Sequence, residues 1–427
     1  MRWILKFLLK ILARLTIKKY HPRIVGITGS VGKTSTKEAV TYLLKSHFSL
    51  RESAKNLNNE IGLPLAILGE ADSGYRDPWA WLQIFSRGIA QIFKHNPNYP
   101  QLLVLEYGID HPGDMNYLLK IARPEKAIVT AISPTHLEFM GSIMAVAREK
   151  GLLVTTLPPI GTAVLNNDDA QVAALASKIK ANVLTYGIDK PADVRAESVA
   201  LSYDDEGEVR GVSFKLVSKG TSIPVLLPNV VGRPPVYVAL GAAAIALGYG
   251  ILPLTVAQML SDIPLPPGRL RLLSGIKHTT LIDDTYNSSP RALSEALQVL
   301  AQMPIKDQGH RIAILGDMLE LGKESVELHK QAGRELATLG IDYLLVVGER
   351  SREIMHGAVE VGFNPDHVWH FAHAGEAGIF MQDRLQTGDV VLIKGSQGIR
   401  CEKITKELMA EPTRAKELLV RQYKPWI

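Results

Sequence analysis

The sequence contains a single cysteine, Cys401, among 427 residues. One thiol excludes an intramolecular disulfide and any zinc site built from several cysteines, and it is typical of a protein in a reducing compartment. Basic residues interleaved with aromatic ones, a mark of many nucleic-acid-binding surfaces, are also missing, as are short internal repeats and low-complexity segments. With 46% hydrophobic and 21% charged residues, the composition is that of an ordinary globular chain of two or three domains.

Acidic residues are absent from the first 23 positions, which hold seven Lys and Arg residues. The whole chain has a net charge of +5, so the remainder carries −2 and the excess of positive charge belongs to this segment. No apolar run within residues 1–19 exceeds three residues, which excludes a secretory signal and a membrane-spanning helix. Cations at every fourth position predict a basic amphipathic helix over 1–22. Two interpretations stay open, a peripheral membrane anchor and a helix packed on the protein or across a dimer.

The most informative stretch is GITGSVGKT, which runs from Gly26 to Thr34. It follows an apolar pair typical of a strand end and precedes a helical pattern over 35–45, which is the context of a phosphate-binding loop. Lys33 would reach the β- and γ-phosphates, and the Thr34 hydroxyl would hold Mg²⁺. Five residues separate Gly26 from Gly32, one more than in the common P-loop. We expect ATP or a close relative to contact Gly29, Ser30, Val31, Gly32, Lys33, Thr34 and Ser35.

Polar residues follow further apolar segments that we interpret as parallel strands. The segment 102–105 ends at Glu106, and the segment 127–131 is followed by a polar stretch that includes His136. Ligands bind at the carboxyl ends of parallel strands, so Glu106 is a natural Mg²⁺ ligand. On its own, His136 is more often structural, and Lys150 in the helix predicted over 142–152 is more often solvated. The apolar segment 76–98 is interpreted as a core helix.

The second half of the chain changes its pattern at the proline-rich segment 264–268, which we interpret as a linker. Before it lie an inserted β-hairpin over 196–227 and an Ala-rich core helix over 241–248. After it, helical patterns separate strands predicted at 279–283, 311–315, 343–347, 367–371 and 389–393. The predicted fold is α/β, with a P-loop ATPase domain of mostly parallel sheet and a C-terminal Rossmann-like, doubly wound domain. The predicted domains are 1–22, 23–266 and 267–427.

These residues resemble the Mur ligases, the ATP-dependent amide-forming enzymes of peptidoglycan synthesis, from about Ile24 to about Lys403. The glycine spacing before Lys33 is similar to that family's own variant of the loop. Five strings look specifically like the MurF type, which joins D-alanyl-D-alanine to a UDP-muramoyl tripeptide. They lie at residues 56–62, 136–138, 283–287, 316–322 and 394–396.

The resemblance implies a two-Mg²⁺ ATP site. Thr34 and Glu106 would hold the ion between the β- and γ-phosphates, with Asn59 close by. His136 would hold the second ion, and Lys150 matches a lysine that CO₂ converts into a carbamate. Lys33, His136 and Lys150 would then be the catalytic residues.

The resemblance also implies roles for residues of the C-terminal domain. Four residues match those that close over ATP: Arg269, Asp284, Tyr286 and Asn287. Lys394 and Ser396 match residues that face the amine substrate. ATP would phosphorylate a carboxylate, and the amine would displace phosphate from the acyl phosphate.

Two departures from the MurF type affect this interpretation. Only about 23 residues precede the loop, where most MurF enzymes have a UDP-binding domain, and Arg233-Pro234-Pro235-Val236 replaces a His-Asn pair near adenine. The implied partners are a cell-wall peptide precursor and a D-alanyl-D-alanine-like amine, with no nucleic acid. We expect a cytoplasmic monomer, with peripheral membrane contact under the first interpretation of residues 1–19. The alternatives are a ligase for another, lipid-linked precursor, a folylpolyglutamate-synthase-like ligase and a non-catalytic membrane scaffold.

Overall fold

The computed structural model describes residues 2–54, 57–70, 78–133, 137–306, 308–423 and 426. The chain divides into two compact units. Unit 1 comprises Met1–Val199, Phe214–Val225 and Val236–Pro264, and unit 2 comprises Ala200–Ser213, Leu226–Pro235 and Leu265–Ile427. Their last boundary lies between Pro264 and Leu265, within the proline-rich segment.

The α-helices include those predicted within 1–22, 35–45, 76–98, 142–152 and 241–248, together with others. In chain order they are α1 (Arg2–Tyr20), α2 (Lys33–Leu44), α3 (Gly62–Leu68), α4 (Pro78–Phe93), α5 (Asp114–Leu119), α6 (Leu137–Met140), α7 (Ile143–Thr155), α8 (Ala170–Ala173), α9 (Arg233–Gly248), α10 (Pro253–Leu260), α11 (Pro290–Gln302), α12 (Ser325–Ala337), α13 (Arg352–Glu360), α14 (Ala374–Arg384), α15 (Glu402–Leu408) and α16 (Ala415–Leu418).

The strands alternate with these helices in both halves of the chain. They are β1 (Arg23–Thr28), β2 (Leu50–Glu52), β3 (Leu102–Glu106), β4 (Lys126–Val129), β5 (Thr162–Asn166), β6 (Asn182–Gly187), β7 (Val194–Tyr203), β8 (Val209–Ser218), β9 (Thr221–Pro228), β10 (Arg271–Ser274), β11 (Thr280–Asp284), β12 (Arg311–Gly316), β13 (Tyr343–Val347), β14 (Val368–Phe371) and β15 (Val390–Lys394).

The first sheet has the order β2-β3-β1-β4-β5-β6-β7-β8-β9, and its strands from β2 to β7 pair in parallel. β1 is central, with Ile27 opposite Glu106 of β3 and Thr28 opposite Val129 of β4. Strands β3 and β5 are buried along their whole length, which is why they are continuous apolar runs. The carboxyl ends of β1, β3 and β4 therefore meet beside the glycine-rich loop.

The second sheet has the order β10-β11-β15-β12-β13-β14 and lies in unit 2. Its strands from β11 to β14 pair in parallel, and β10 alone pairs antiparallel, with β11. β15 lies between β11 and β12, so Lys394 is opposite Asp284. The predicted α/β architecture, with mostly parallel sheets, is confirmed.

Two local predictions need correction. The β-insertion is a run of three strands, β7 to β9, rather than one hairpin, because a second turn at Lys219–Gly220 extends it. The segment predicted as a core helix forms α4, yet only Ile84 and Gly88 of this helix are buried. The aromatic content of α4 suggested burial, but Trp79, Leu82, Ile89 and Phe93 face solvent, whereas Trp81, Phe85 and Ile92 are partly buried. Among the described residues, none of the helices is long and apolar enough to cross a membrane.

Helix α1 packs against α3 and α4 through one face. Leu9, Leu12, Ala13 and Thr16 are buried on that face, since they recur at helical spacing. The opposite face keeps Trp3, Ile4, Phe7, Leu8, Ile11 and Leu15 exposed. The N-terminal helix is therefore part of the core of unit 1 on one side only.

We predict that replacing Leu9 with Ala lowers the free energy of unfolding by about 2–5 kcal/mol, because it leaves a cavity between α1, α3 and α4. Leu8→Ala is the matched control, since Leu8 is 42% exposed whereas Leu9 is 0% exposed. This control should change stability by about 0.5 kcal/mol or less. Urea denaturation followed by circular dichroism gives both values. Equal losses in the two variants would contradict the packing described for α1.

Candidate active site

The loop between β1 and α2 packs tightly against the end of β4. A Cβ atom on Gly29 would lie 2.0 Å from the Thr130 hydroxyl oxygen, and Gly32 has the left-handed φ of 84° as it begins α2. The Ser30 N–H donates to the carbonyl of Ala131 at 2.7 Å, and the Thr130 hydroxyl donates to the carbonyl of Val31 at 2.5 Å. These contacts fix the loop at the N-terminus of α2. The first N–H groups of a helix have no intrahelical acceptor, and in phosphate-binding loops such groups bind phosphate oxygens.

Lys33 and Thr34 begin α2, and Ser35 is buried beside them. The Lys33 ammonium donates to the carbonyl of Gly29 at 2.8 Å, so its side chain folds back over the loop. The Thr34 hydroxyl donates to Glu106 Oε2 at 3.1 Å, which joins α2 to the carboxyl end of β3. The structure thus brings the predicted loop residues 29–35 and Glu106 together.

The two asparagines after residue 57 have different contacts. Asn58 Nδ2 donates to Glu106 Oε1 at 2.9 Å, so the buried carboxylate is held from both sides, by Asn58 and by Thr34. The Asn59 side-chain oxygen Oδ1 instead accepts the N–H groups of Ile61 and Gly62 at the start of α3. Of the pair, Asn58 is therefore the residue in contact with the predicted Mg²⁺ ligand, and Asn59 supports the loop that carries it.

Lys150 lies on α7 and is 1% exposed. Burial is the main cause that lowers the pKa of the Lys150 amine well below its usual range, and the nearby Lys33 cation is the second. Asp110 and Glu106 raise this pKa, but by less. Its neighbour Glu149 accepts the N–H groups of Gly113 and Met115, which ties α7 to the start of α5. Lys150 is thus a buried amine on a rigid helix, with the cation and the carboxylate of the loop site near it.

The segment after β4 is held by residues from the following strand ends. Asp169 Oδ2 accepts the Ile132 N–H at 3.0 Å, and the Asn166 amide donates to the carbonyl of Thr130 at 3.1 Å. The Ser30 hydroxyl donates to the carbonyl of Ser133 at 3.1 Å. The polar strand ends of β4 and β5 therefore support the loop itself.

His136, the predicted ligand of the second Mg²⁺, lies outside the described residues. Within the described part of the chain, no group of three His, Cys, Asp or Glu side chains is arranged to hold a metal ion. Thr34 and Glu106 still suit Mg²⁺, because this ion takes one or two protein oxygens and completes its shell with water and phosphate oxygens.

A second polar cluster occupies the carboxyl ends of β11 and β15 in unit 2. Lys394 is buried, and its ammonium donates to Asp284 Oδ2 at 2.6 Å and to the carbonyl of Asn287 at 2.9 Å. Ser396 accepts the Leu319 N–H at 3.0 Å and is also buried. The predicted residues Asp284, Asn287, Lys394 and Ser396 thus lie in one cluster.

Arg269 and Tyr286 lie next to this cluster. The Arg269 guanidinium lies over the Tyr286 ring at 4.0 Å, and the Tyr286 N–H donates to the carbonyl of Gly268 at 3.1 Å. The Arg421 guanidinium donates to the carbonyls of Tyr286 and Thr285 and to Glu402 Oε2. Arg421 therefore holds the loop after β11 from the C-terminal end of the chain.

Sequence reasoning missed several residues of these two clusters, among them Asn58, Thr130, Asp169 and Arg421. Asn58 stands in a string that was singled out, but spacing does not tell which asparagine faces Glu106. The sequence gives no signal for Arg421, because Tyr286, whose carbonyl it contacts, lies 135 residues away in the chain.

Comparisons with known proteins agree with this geometry. The model of the Mur ligase middle domain matches residues 27–76 and 86–246, and that of the Mur ligase, glutamate ligase domain matches residues 268–397. The UDP-N-acetylmuramoyl-tripeptide--D-alanyl-D-alanine ligase of Escherichia coli is 30% identical over 397 residues, which cover 92% of this chain and 78% of that protein.

Solved structures of MurF enzymes are also similar to this chain. MurF from Acinetobacter baumannii superposes with a TM-score of 0.77 and 26% identity, covering 94% of this chain and 79% of that chain. MurF from Thermotoga maritima in complex with ADP superposes with a TM-score of 0.75, covering 93% and 82%, and at 24% identity it supports the fold alone.

We predict that Lys394→Met lowers the free energy of unfolding by about 3–5 kcal/mol, because it leaves the Asp284 carboxylate buried without its cation. The double variant Asp284→Leu/Lys394→Met should recover much of this loss, since replacing both charges removes the unpaired group. Arg414→Met is the surface control. Its partners Glu411 and Glu417 are solvated, so the loss of stability should be much smaller than that of Lys394→Met. Urea denaturation measures all three, and a double variant no more stable than Lys394→Met would contradict the pairing.

Proposed function

This chain belongs to the Mur ligase family, and we propose that it joins D-alanyl-D-alanine, or a similar amine, to the carboxylate of a muramoyl peptide with ATP as the energy source. The observation that carries the proposal is the cluster around Glu106. There the Thr34 hydroxyl and the Asn58 amide donate to the carboxylate, and the Lys33 ammonium and the buried Lys150 amine lie near it.

The proposed reaction has two steps. The substrate carboxylate attacks the γ-phosphorus of ATP, so that ADP leaves and an acyl phosphate forms. The amine then attacks the acyl carbon, and phosphate leaves from the tetrahedral intermediate as the amine loses its proton. Lys33 swings from the Gly29 carbonyl to the phosphoryl group, where its charge offsets the negative charge that moves between oxygens.

In the proposed site, Thr34 and Glu106 would hold Mg²⁺ together with the phosphates. The ion supplies positive charge at the phosphate oxygens when it is bound. Asn58 keeps the Glu106 carboxylate oriented toward Thr34, so the oxygens that suit the ion are set before nucleotide binds. A second ion near His136 belongs to the same proposal.

We infer that Lys150 carries a carbamate in the working enzyme. A neutral amine is the form that attacks CO₂, and burial beside Lys33 lowers the pKa of Lys150 in that direction. When nitrogen bonds to the CO₂ carbon and loses a proton, the group becomes an anion. This change turns the repulsion between Lys33 and Lys150 into attraction and supplies oxygens for a cation.

The proposed setting is the cytoplasm, with the chain acting as a monomer. Cys401 is a free, buried thiol, as expected in a reducing compartment, and the cytoplasm supplies ATP. The proposed location also includes a peripheral contact of residues 1–19 with the inner face of the membrane.

Phosphate release from ATP tests the ligase assignment. We expect release to require both a muramoyl-peptide donor and D-alanyl-D-alanine. A panel of UDP-linked, free and lipid-linked donors with several amines identifies the substrates.

Lys33→Ala should lower the ligation rate by about 10³-fold or more, because the cation nearest the transferred group is lost. Lys45→Ala, at the exposed end of the same helix, is the matched control and should keep normal activity. Normal ligation by folded Lys33→Ala would refute the proposed role of the loop.

Replacement of Lys150 tests the carbamate. Lys150→Ala should abolish ligation, and acetate or formate should restore part of it by supplying a carboxylate in the vacated space. Lys37→Ala removes another buried lysine, whose ammonium donates to the Ser53 carbonyl, and acids should not rescue any activity that it loses. Carbon-13 NMR with labelled bicarbonate should show a carbamate signal in the parent protein and none in Lys150→Ala. The same signal in both proteins would place the carbamate elsewhere.

A further inference from the structure

Helices α1 and α4 lie side by side on unit 1. A Cβ atom on Gly88 of α4 would lie 3.2 Å from Leu12 Cδ1 of α1, so the glycine allows the two helices to approach closely. At their C-terminal ends, the Lys19 ammonium donates to the carbonyls of Gln91, Ile92 and Lys94, the last at 2.7 Å. The two helices therefore form one rigid pair whose C-termini lie together.

Both helices leave large apolar side chains in solvent. On α1, Trp3 is 74% exposed and stacks on Phe7 with ring centroids 5.8 Å apart. On α4, Trp79 is 71% and Phe93 is 83% exposed. Six apolar residues of α1 and four of α4 are exposed in this way. They are Trp3, Ile4, Phe7, Leu8, Ile11, Leu15, Trp79, Leu82, Ile89 and Phe93, and we call them the α1–α4 face.

The charges beside this face are mostly positive, and two acids that contact the helices, Glu60 and Glu70, are each paired with a cation, Lys6 and Arg87. Neither α1 nor α4 contains an Asp or Glu. Next to the C-terminal half of α1 lies a groove of about 420 Å³ lined by five basic residues and no acidic one: Arg14, Lys18, His21, Lys120 and Arg123. Arg14 and Lys18 are exposed and form no ion pair with any described residue. The groove is therefore a basic surface beside the α1–α4 face.

The cations of α1 are crowded, although some have partners. Lys6 pairs with Glu60 at 2.6 Å, and Lys10 lies over the Tyr117 ring at 4.6 Å. Burial, with added repulsion from Lys120 and Arg14, lowers the pKa of Lys10. An anionic partner at the groove would relieve this repulsion.

We propose that the α1–α4 face and its basic groove dock unit 1 on an anionic lipid bilayer. Exposed Trp, Phe and Leu side chains suit the boundary between headgroups and acyl chains, and Arg14, Lys18 and Lys120 suit lipid phosphates. A second copy of the chain fits less well, because it would bring together two surfaces that each carry an excess of positive charge. This inference does not depend on the ligase reaction.

Vesicle sedimentation tests the docking. The full chain should bind vesicles that contain phosphatidylglycerol and remain free of pure phosphatidylcholine vesicles. High salt should weaken binding, since the attraction to the headgroups is electrostatic. Tryptophan emission should shift to shorter wavelength on binding, as Trp3 and Trp79 leave water.

Paired variants test the apolar and basic parts separately. Trp3→Glu/Phe7→Glu should reduce vesicle binding at least about 10-fold, because it places carboxylates where acyl chains would lie. Ile160→Glu/Leu252→Glu is its control, since both residues are exposed apolar residues of unit 1 outside the face. Arg14→Glu/Lys18→Glu should reduce binding at least about 30-fold, as each cation near the surface contributes roughly a factor of five. Its control is Lys178→Glu/Lys180→Glu, which reverses two exposed cations elsewhere in unit 1.

All four variants alter exposed side chains, so their thermal unfolding should match that of the parent. Equal binding to neutral and anionic vesicles would refute the role of the groove, and equal losses in test and control pairs would refute the site. If the parent ignores vesicles and sediments as a dimer that Trp3→Glu/Phe7→Glu converts to a monomer, the face is a contact between copies and the proposal is wrong.

Discussion

The close packing of Gly29 against Thr130 is the constraint on which the unit 1 site depends. Any side chain at residue 29 would collide with the Thr130 hydroxyl, so the loop can lie on the end of β4 only because residue 29 is glycine. Once it lies there, Ser30 and Val31 bond to Ala131 and Thr130 directly after β4, and α2 begins with Lys33. Thr34 then reaches Glu106, because β1 pairs directly with β3.

Charge balance in the Glu106 cluster explains why a carbamate fits this chain. Lys33 and Lys150 are close enough to repel, and Lys150 is almost fully buried. A buried ammonium beside another cation is costly, so the neutral amine is favoured. A neutral amine without a partner leaves a polar group buried, whereas an anion would have Lys33 as its counter-charge.

In unit 2 the buried charges are neutralised by each other, as an ion pair. Asp284 and Lys394 are both buried and bond at 2.6 Å, and the Asn287 carbonyl takes a second Lys394 donor. Such a pair adds little net stability, because desolvation offsets the attraction, but its geometry fixes the ends of β11 and β15 relative to each other. The sequence placed these residues at two strand ends 110 positions apart, and parallel pairing of β11 with β15 joins them.

The sequence by itself determined the loop, the strand ends and the family, because these features depend on short-range spacing. In any α/β sheet, glycines before a lysine such as Lys33 indicate a phosphate-binding loop. Apolar runs that end at an acidic residue such as Glu106 or Asp284 indicate strands that end at a ligand site. Tertiary structure decided which side chains meet across the sheet. Asn58 rather than Asn59 contacts Glu106, Lys150 is buried rather than solvated, and Arg421 holds the loop after β11. It also decided that α4 lies at the surface, because helical periodicity shows which residues share a face but not whether protein or solvent covers that face.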